Sequence, residues 1–80
     1  MNALLESTAQ VAACARLRDA LTSRGILPEV AAPIARATVA GRSCFERFGT
    51  LMRNSPLGPW SCIAALRDAG LWSTGDRHAR

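Results

Sequence analysis

The stretch Ile34-Ala35-Arg36-Ala37-Thr38-Val39-Ala40-Gly41-Arg42-Ser43-Cys44-Phe45-Glu46-Arg47-Phe48-Gly49-Thr50-Leu51-Met52-Arg53 decides the fold. Two apolar-patterned segments flank a short turn that contains Gly41. Ser43-Cys44-Phe45-Glu46 has the S-x-x-E spacing of a capping box. In that motif the Ser43 hydroxyl accepts from the N–H of Glu46, and the Glu46 carboxylate accepts from the N–H of Ser43. A helix therefore starts at Cys44. Phe45, Phe48 and Met52 recur at helical spacing with Leu51 beside them, so they are expected on one buried face. Glu46, Arg47, Thr50 and Arg53 then occupy the other face. Asn54-Ser55-Pro56 ends the helix, because the residue before a proline is pushed out of the α region. In the preceding segment, Ile34, Ala35, Thr38 and Val39 supply an inward face that stops near Ala40-Gly41.

Working outward, residues 3–24 read as the first and longest helix, with Leu4, Val11, Cys14, Leu17 and Leu21 along one stripe. Arg16, Arg18, Asp19 and Arg24 sit in its second half and read as a solvated helix end, with Gly25 as the C-cap. Pro28-Glu29 suits a first helical turn, and Pro33 either kinks that helix or begins a new one. Beyond the central stretch, Ser55 to Pro59 is a turn and Pro59 opens a fourth helix through Trp60, Ile63, Ala64 and Leu66. Gly70 caps it, so that Leu71 and Trp72 fold back onto the last turn. Ser73 to Arg80 is polar and aperiodic and is expected to form a flexible tail. No run alternates as a strand does. The expected architecture is a small all-α four-helix domain over residues 1–72, with a helix-turn-helix at 34–53 and a tail at 73–80.

Eighty residues is near the size at which one core only just suffices. All ten basic residues are arginine and there are six acids, giving a net charge of +4 and a pI near 10.2. That balance favours a polyanionic partner, nucleic acid first and an acidic protein surface second. Arginine's planar fork suits phosphate or carboxylate, although a GC-rich coding sequence equally explains the lack of lysine. Three widely spaced cysteines, Cys14, Cys44 and Cys62, argue against a disulfide framework and for a reducing compartment. Zinc held by them with His78 would lack the close ligand pairs of structural sites, so no metal or cofactor is expected. Cys14 and Cys62 read instead as small core residues. The N-terminus lacks a basic signal region and no uncharged apolar run approaches the ~20 residues of a membrane span, so a soluble, cytoplasmic protein without a membrane partner is expected. The sole histidine lies in the tail, no glycine-rich phosphate loop is present, and the carboxylates are mostly accounted for by caps and helix surfaces. An enzyme is therefore not expected.

From Ile34 to Phe48 the chain resembles the helix-turn-helix of tetracycline-repressor-type bacterial regulators. The likeness lies in the Ile34-Ala35 pair, the small-residue turn, Ser43 opening the second helix, and Phe45 and Phe48 along its buried side. Leu17 to Gly25 is also similar to that family's first helix, which often ends in an arginine–glycine pair. The likeness covers residues 17–53, about half of the chain. Val39 stands where the family usually has its turn glycine, and Pro33 is uncommon before the Ile-Ala pair. The resemblance implies a DNA-binding transcription regulator in which Arg42, Ser43, Cys44, Arg47 and Thr50 face the major groove and Arg36 or Arg53 lies near phosphates. It also implies a dimer, with the first helix or the Trp60–Trp72 region supplying the second subunit's contact. Independently of family, arginine at the start of a recognition helix suits guanine O6 and N7. Glu46 opposes phosphate unless the cap holds it.

The competing reading takes 34–53 as an ordinary αα-hairpin in a small bundle. The protein is then a protein-binding module, an adaptor or inhibitor that covers a partner surface. Trp60 and Trp72 would carry the contact, because tryptophan and arginine dominate binding hot spots. Trp60 is nevertheless expected in the core ahead of the surface.

Overall fold

The computed structural model describes the backbone of residues 2–72, with side chains from Thr8 onward. Four helices follow one another, α1 (Asn2–Thr22), α2 (Pro28–Val39), α3 (Cys44–Asn54) and α4 (Pro59–Asp68), with no strand among the described residues. The architecture is all-α. α1 packs against α2 and α4, and α3 packs against the same two helices from the other side, so the four close into a ring. Val11, Trp60 and Phe45 fall on outer faces of that ring, and His78 and the expected tail lie outside the described residues.

The helix ends follow from local chemistry. α1 is followed by Gly25 at φ +97°, where the N–H of Ile26 donates to the Leu21 carbonyl and tucks Ile26 into the core. α2 begins on Pro28, with the Leu27 carbonyl accepting from both Val30 and Ala31. Pro33 lies inside one continuous α2. It is tolerated because both Pro33 and Glu29, whose carbonyl loses that donor, are exposed to water. Gly41 fits the tight turn to α3: a Cβ there would stand 3.2 Å from the Thr38 carbonyl and 3.2 Å from Cγ of Arg47, close enough that a neighbour would have to shift. α4 starts on Pro59 after Gly58 and ends before Gly70 at φ +75°, with the Leu71 N–H on the Leu66 carbonyl at 2.8 Å.

The capping box of α3 forms with one change of partner. Ser43 Oγ accepts from the Glu46 N–H at 3.1 Å, but Glu46 Oε1 accepts from the N–H of Arg42 at 2.7 Å rather than from Ser43. Ser43 is extended, at φ −141° and ψ 164°, and the N–H that meets the carboxylate is the one before it.

Leucine and alanine build the core. Leu17, Leu21, Leu51, Leu66 and Cys62 are fully buried, and Ala31, Ala35, Ala65 and Ala69 seal the helix contacts around them. Small side chains at these contacts let the backbones approach closely and leave little room for large rings. Three expectations are corrected on this account. In α1 the buried stripe is Ala13, Leu17, Ala20 and Leu21; Val11 stands about 200° around the helix from Ala13 and is exposed. In α4 the inward set is Cys62, Ala65, Leu66 and Ala69, which turns Trp60 outward, 81% exposed. In α3 the inward phase is set by Leu51, so Phe45 is 83% exposed, while Phe48 and Met52 are half-buried at the edge. Trp72 does fold back and meets Phe48 edge-on at 6.3 Å between ring centroids.

The arginines of α1 are not merely a solvated end. Arg16 Nε donates to the Ala69 carbonyl at 3.0 Å, and Arg24 Nη2 reaches Asp68 Oδ2 at 2.9 Å. Both hold the C-terminus of α4, where a cation complements the free carbonyls of the last turn.

Candidate functional site

Two adjoining grooves run along one side of the ring. The first lies between α1 and α2, encloses about 420 Å³, and has an apolar floor of Val11, Cys14, Ala15, Ala32, Val39 and Ala40. Arg18, Arg36 and Gln10 edge it. The second continues past Val39 and Ala40 to the α2–α3 turn and adds Ala9, Ala13, Gly41, Arg42, Arg47 and Leu71. Gln10, Val39 and Ala40 line both, so the two grooves adjoin as a furrow in two parts, Arg18 and Arg36 in the first and Arg42 and Arg47 in the second. Four arginines, Arg18, Arg36, Arg42 and Arg47, line it, and among the described residues no carboxylate does.

The furrow lies where α1 passes over α2 and the α2–α3 turn. Ala13 is the first described α1 residue in the core, and Ala9, Gln10 and Val11 before it remain exposed over α2 and the turn. The small residues Ala15, Ala32 and Ala40 leave space between the two helices that larger side chains would fill.

The furrow cations differ in their engagement. Arg18 approaches its own neighbour Asp19 at 3.5 Å, a contact at the surface and weakly attractive. Arg36 and Arg42 are exposed, and neither is ion-paired among the described residues. Arg47 is half-buried with its stem over Gly41, and its Nε is enclosed without a hydrogen-bond partner. A buried donor left unmade costs about 1–3 kcal/mol.

The residues expected to face a DNA groove are spread over two sides of the hairpin. Arg36, Arg42 and Arg47 line the furrow. Ser43 is used as the cap, and the Cys44 thiol donates to the Leu71 carbonyl at 3.6 Å, so both serve the α3 start. Thr50 and Arg53 lie along the opposite, outer flank of α3 with Phe45, Glu46, Gly49 and Met52. Thr50 accepts from Arg53 Nη2 at 3.4 Å. Of the two tryptophans expected at a protein contact, Trp60 is exposed on α4 and Trp72 is half-buried against Phe48.

The three cysteines go to three places: Cys14 to the furrow floor, Cys44 to the α3 start, and Cys62 to the core. Burial pushes the Cys62 thiol above its ordinary pKa, and a hydrogen bond with Ser55 pulls weakly the other way. Among the described residues no three metal-ligating side chains converge, and no helix is long and apolar enough to cross a membrane. Val11, Cys14 and the alanines of the furrow floor went unread as site residues. Only the exposure of Val11, a branched apolar side chain beside arginines, separates them from ordinary helix surface.

No protein-family model matches the chain, and comparison with the curated proteins and with the solved structures returns no match.

Proposed function

We propose that this protein is a small binding module whose furrow holds an acidic, amphipathic helical segment of a partner protein. One observation carries the reading: the furrow combines an apolar floor with four arginines and no described carboxylate. An amphipathic helix lays its apolar stripe into such a groove, and its flanking carboxylates meet guanidinium groups on the rim. Nucleic acid has no comparable apolar stripe to cover Val11, Ala15 and Ala32. The module would act as an adaptor or inhibitor by covering that segment of its target.

Sequence-specific DNA binding by α2 and α3 is the second reading. It is favoured by the capped start of α3 and by exposed Arg42 and Arg53 near its two ends, neither ion-paired among the described residues. It is weighed down by Phe45 and Glu46, which occupy the outer face near the helix start where base-reading residues belong.

The two separate in one experiment. The purified protein is presented to a display library of helical peptides and, in parallel, to random duplex DNA near physiological salt. Selection of peptides with apolar residues at i, i+3 or i+4 and i+7 flanked by Asp or Glu, weakened about tenfold or more by Arg36→Glu, supports the furrow. Retention of a DNA motif that Arg42→Ala and Arg53→Ala abolish, without peptide selection, replaces it with the DNA reading.

A further inference from the structure

The outer face of α3 is a second surface, and one of its residues is unexplained by the chain itself. Gly49 stands in the middle of an eleven-residue helix, where glycine is markedly less favourable than alanine. Nothing among the described residues requires it: a Cβ there would meet only Nη1 of Arg53, at 3.4 Å, the far end of a flexible side chain. Around Gly49, within about 60° on either side, lie Phe45, Glu46, Met52 and Arg53. Phe45 is 83% exposed, which leaves a ring in water at the N-terminal end of this face. Phe48, Gly49 and Met52 form a hollow beside it.

We propose that this face pairs with the same face of a second copy of the chain, α3 against α3 in antiparallel register about a twofold axis at Gly49. The pattern is self-complementary. Reversing α3 about Gly49 brings Phe45 and Glu46 of one copy opposite Arg53 and Met52 of the other, and the twofold repeats the arrangement. Each Glu46 then faces an Arg53, whose guanidinium leaves its place over Gly49 and Thr50 to reach it, each phenyl ring enters the hollow beside Met52, and the absent side chain at Gly49 permits the close crossing. Glu46 has one oxygen on the Arg42 N–H, which leaves the other for the second copy. The contact involves one short helix from each side, so it belongs to the weak class of interfaces, with a dissociation constant of about 10–100 μM.

Sedimentation across a concentration series up to about 1 mM tests this. The wild type is expected to convert from monomer to dimer. Gly49→Ala is expected to weaken the dimer at least tenfold while raising the monomer's Tm by about 5 °C, because the methyl obstructs the crossing and favours the helix. A structural role for Gly49 inside the monomer would lower Tm instead. Arg53→Glu and Glu46→Arg are each expected to be monomeric, since each sets like charges opposite one another twice. Mixing these two variants restores opposite charges at both contacts and is expected to give a heterodimer. A wild type that stays monomeric to the top of the series overturns the proposal, as does a dimer indifferent to Gly49→Ala and Arg53→Glu, or a mixture that fails to pair.

Discussion

Arg16 and Arg24 tie α1 to the end of α4, and their removal gives a calculable loss. Arg16 Nε donates to the Ala69 carbonyl at 3.0 Å, a charge-assisted bond to a helix C-terminus. Such a bond contributes roughly 1.5–3 kcal/mol when desolvated, but Arg16 is largely exposed, so about 1 kcal/mol remains after screening. Arg24 meets Asp68 at 2.9 Å with 57% of the Asp68 side chain in water, which limits their coupling to about 0.5 kcal/mol. An 80-residue domain has roughly 4–12 kcal/mol in total, so the clamp is a sizeable share. Arg16→Met, which keeps the apolar stem, is expected to lower stability by about 1 kcal/mol and Tm by about 4–8 °C in thermal denaturation followed by circular dichroism. An Arg24→Met, Asp68→Asn double-mutant cycle is expected to return the 0.5 kcal/mol coupling at low salt and almost none in about 1 M salt. Arg67→Met, at an exposed arginine in the last turn of the same helix, serves as the control. If Arg16→Met costs no more than Arg67→Met, the clamp contributes nothing and the account of how α4 is held is wrong.

Three further outcomes are expected. Ser43→Ala removes the oxygen that accepts from Glu46 N–H and should destabilise the protein by about 1 kcal/mol in urea titration, whereas Ser43→Asp should restore most of it. The Cys62 thiol, fully buried with its pKa raised, should react with iodoacetamide at pH 8 about a hundredfold more slowly than Cys14 on the furrow floor. The sign of its pH dependence follows from the same burial. The unfolded chain ionises Cys62 first, so its contribution is fully present below the ordinary thiol pKa and is lost as pH rises from there toward the raised folded value. Stability measured across that alkaline window should fall less steeply in Cys62→Ala than in the wild type.

Helix number and order were legible because each boundary carries a local device. Ser43 with Glu46, Pro28, Pro59, Gly25 and Gly70 act within a few residues of themselves, and a linear reading sees them. Rotational phase was legible in α2, where Ile34, Ala35, Thr38 and Val39 are buried as expected, but not for the rings of α3 and α4. Phe45 and Trp60 are the large apolar residues a marginal core would be expected to use, yet Leu51 and the Cys62–Ala65–Leu66–Ala69 stripe set the inward faces and leave the rings outside. Alanine hides this, since it is as common on helix surfaces as in contacts, and Ala31 and Ala35 look no different in sequence from Ala12 or Ala37. The roles of Arg16 and Arg24 depend on partners 53 and 44 residues away. Of the furrow, only its arginines carried a chemical signal; its floor is alanine, valine and one cysteine.

The two proposed surfaces meet at Gly41 but draw on different faces of α3, and that separates their fates. Arg47 lines the furrow and Gly49 lies two residues on, about 200° around α3, on the face proposed to pair. A pairing centred on Gly49 therefore leaves the furrow of each copy open, and a dimer would present two furrows related by the twofold. Arg36 belongs to the furrow alone and Arg53 to the outer face alone. Arg36→Glu removes charge from one surface without touching the other, and Arg53→Glu does the reverse, so a single misfolding or charge effect cannot mimic the loss of both. The outer face also sets the terms for DNA. If α3 pairs through Phe45, Glu46, Gly49 and Arg53, that face is closed to a major groove, and the protein's arginines are left to act where the apolar floor lies beside them.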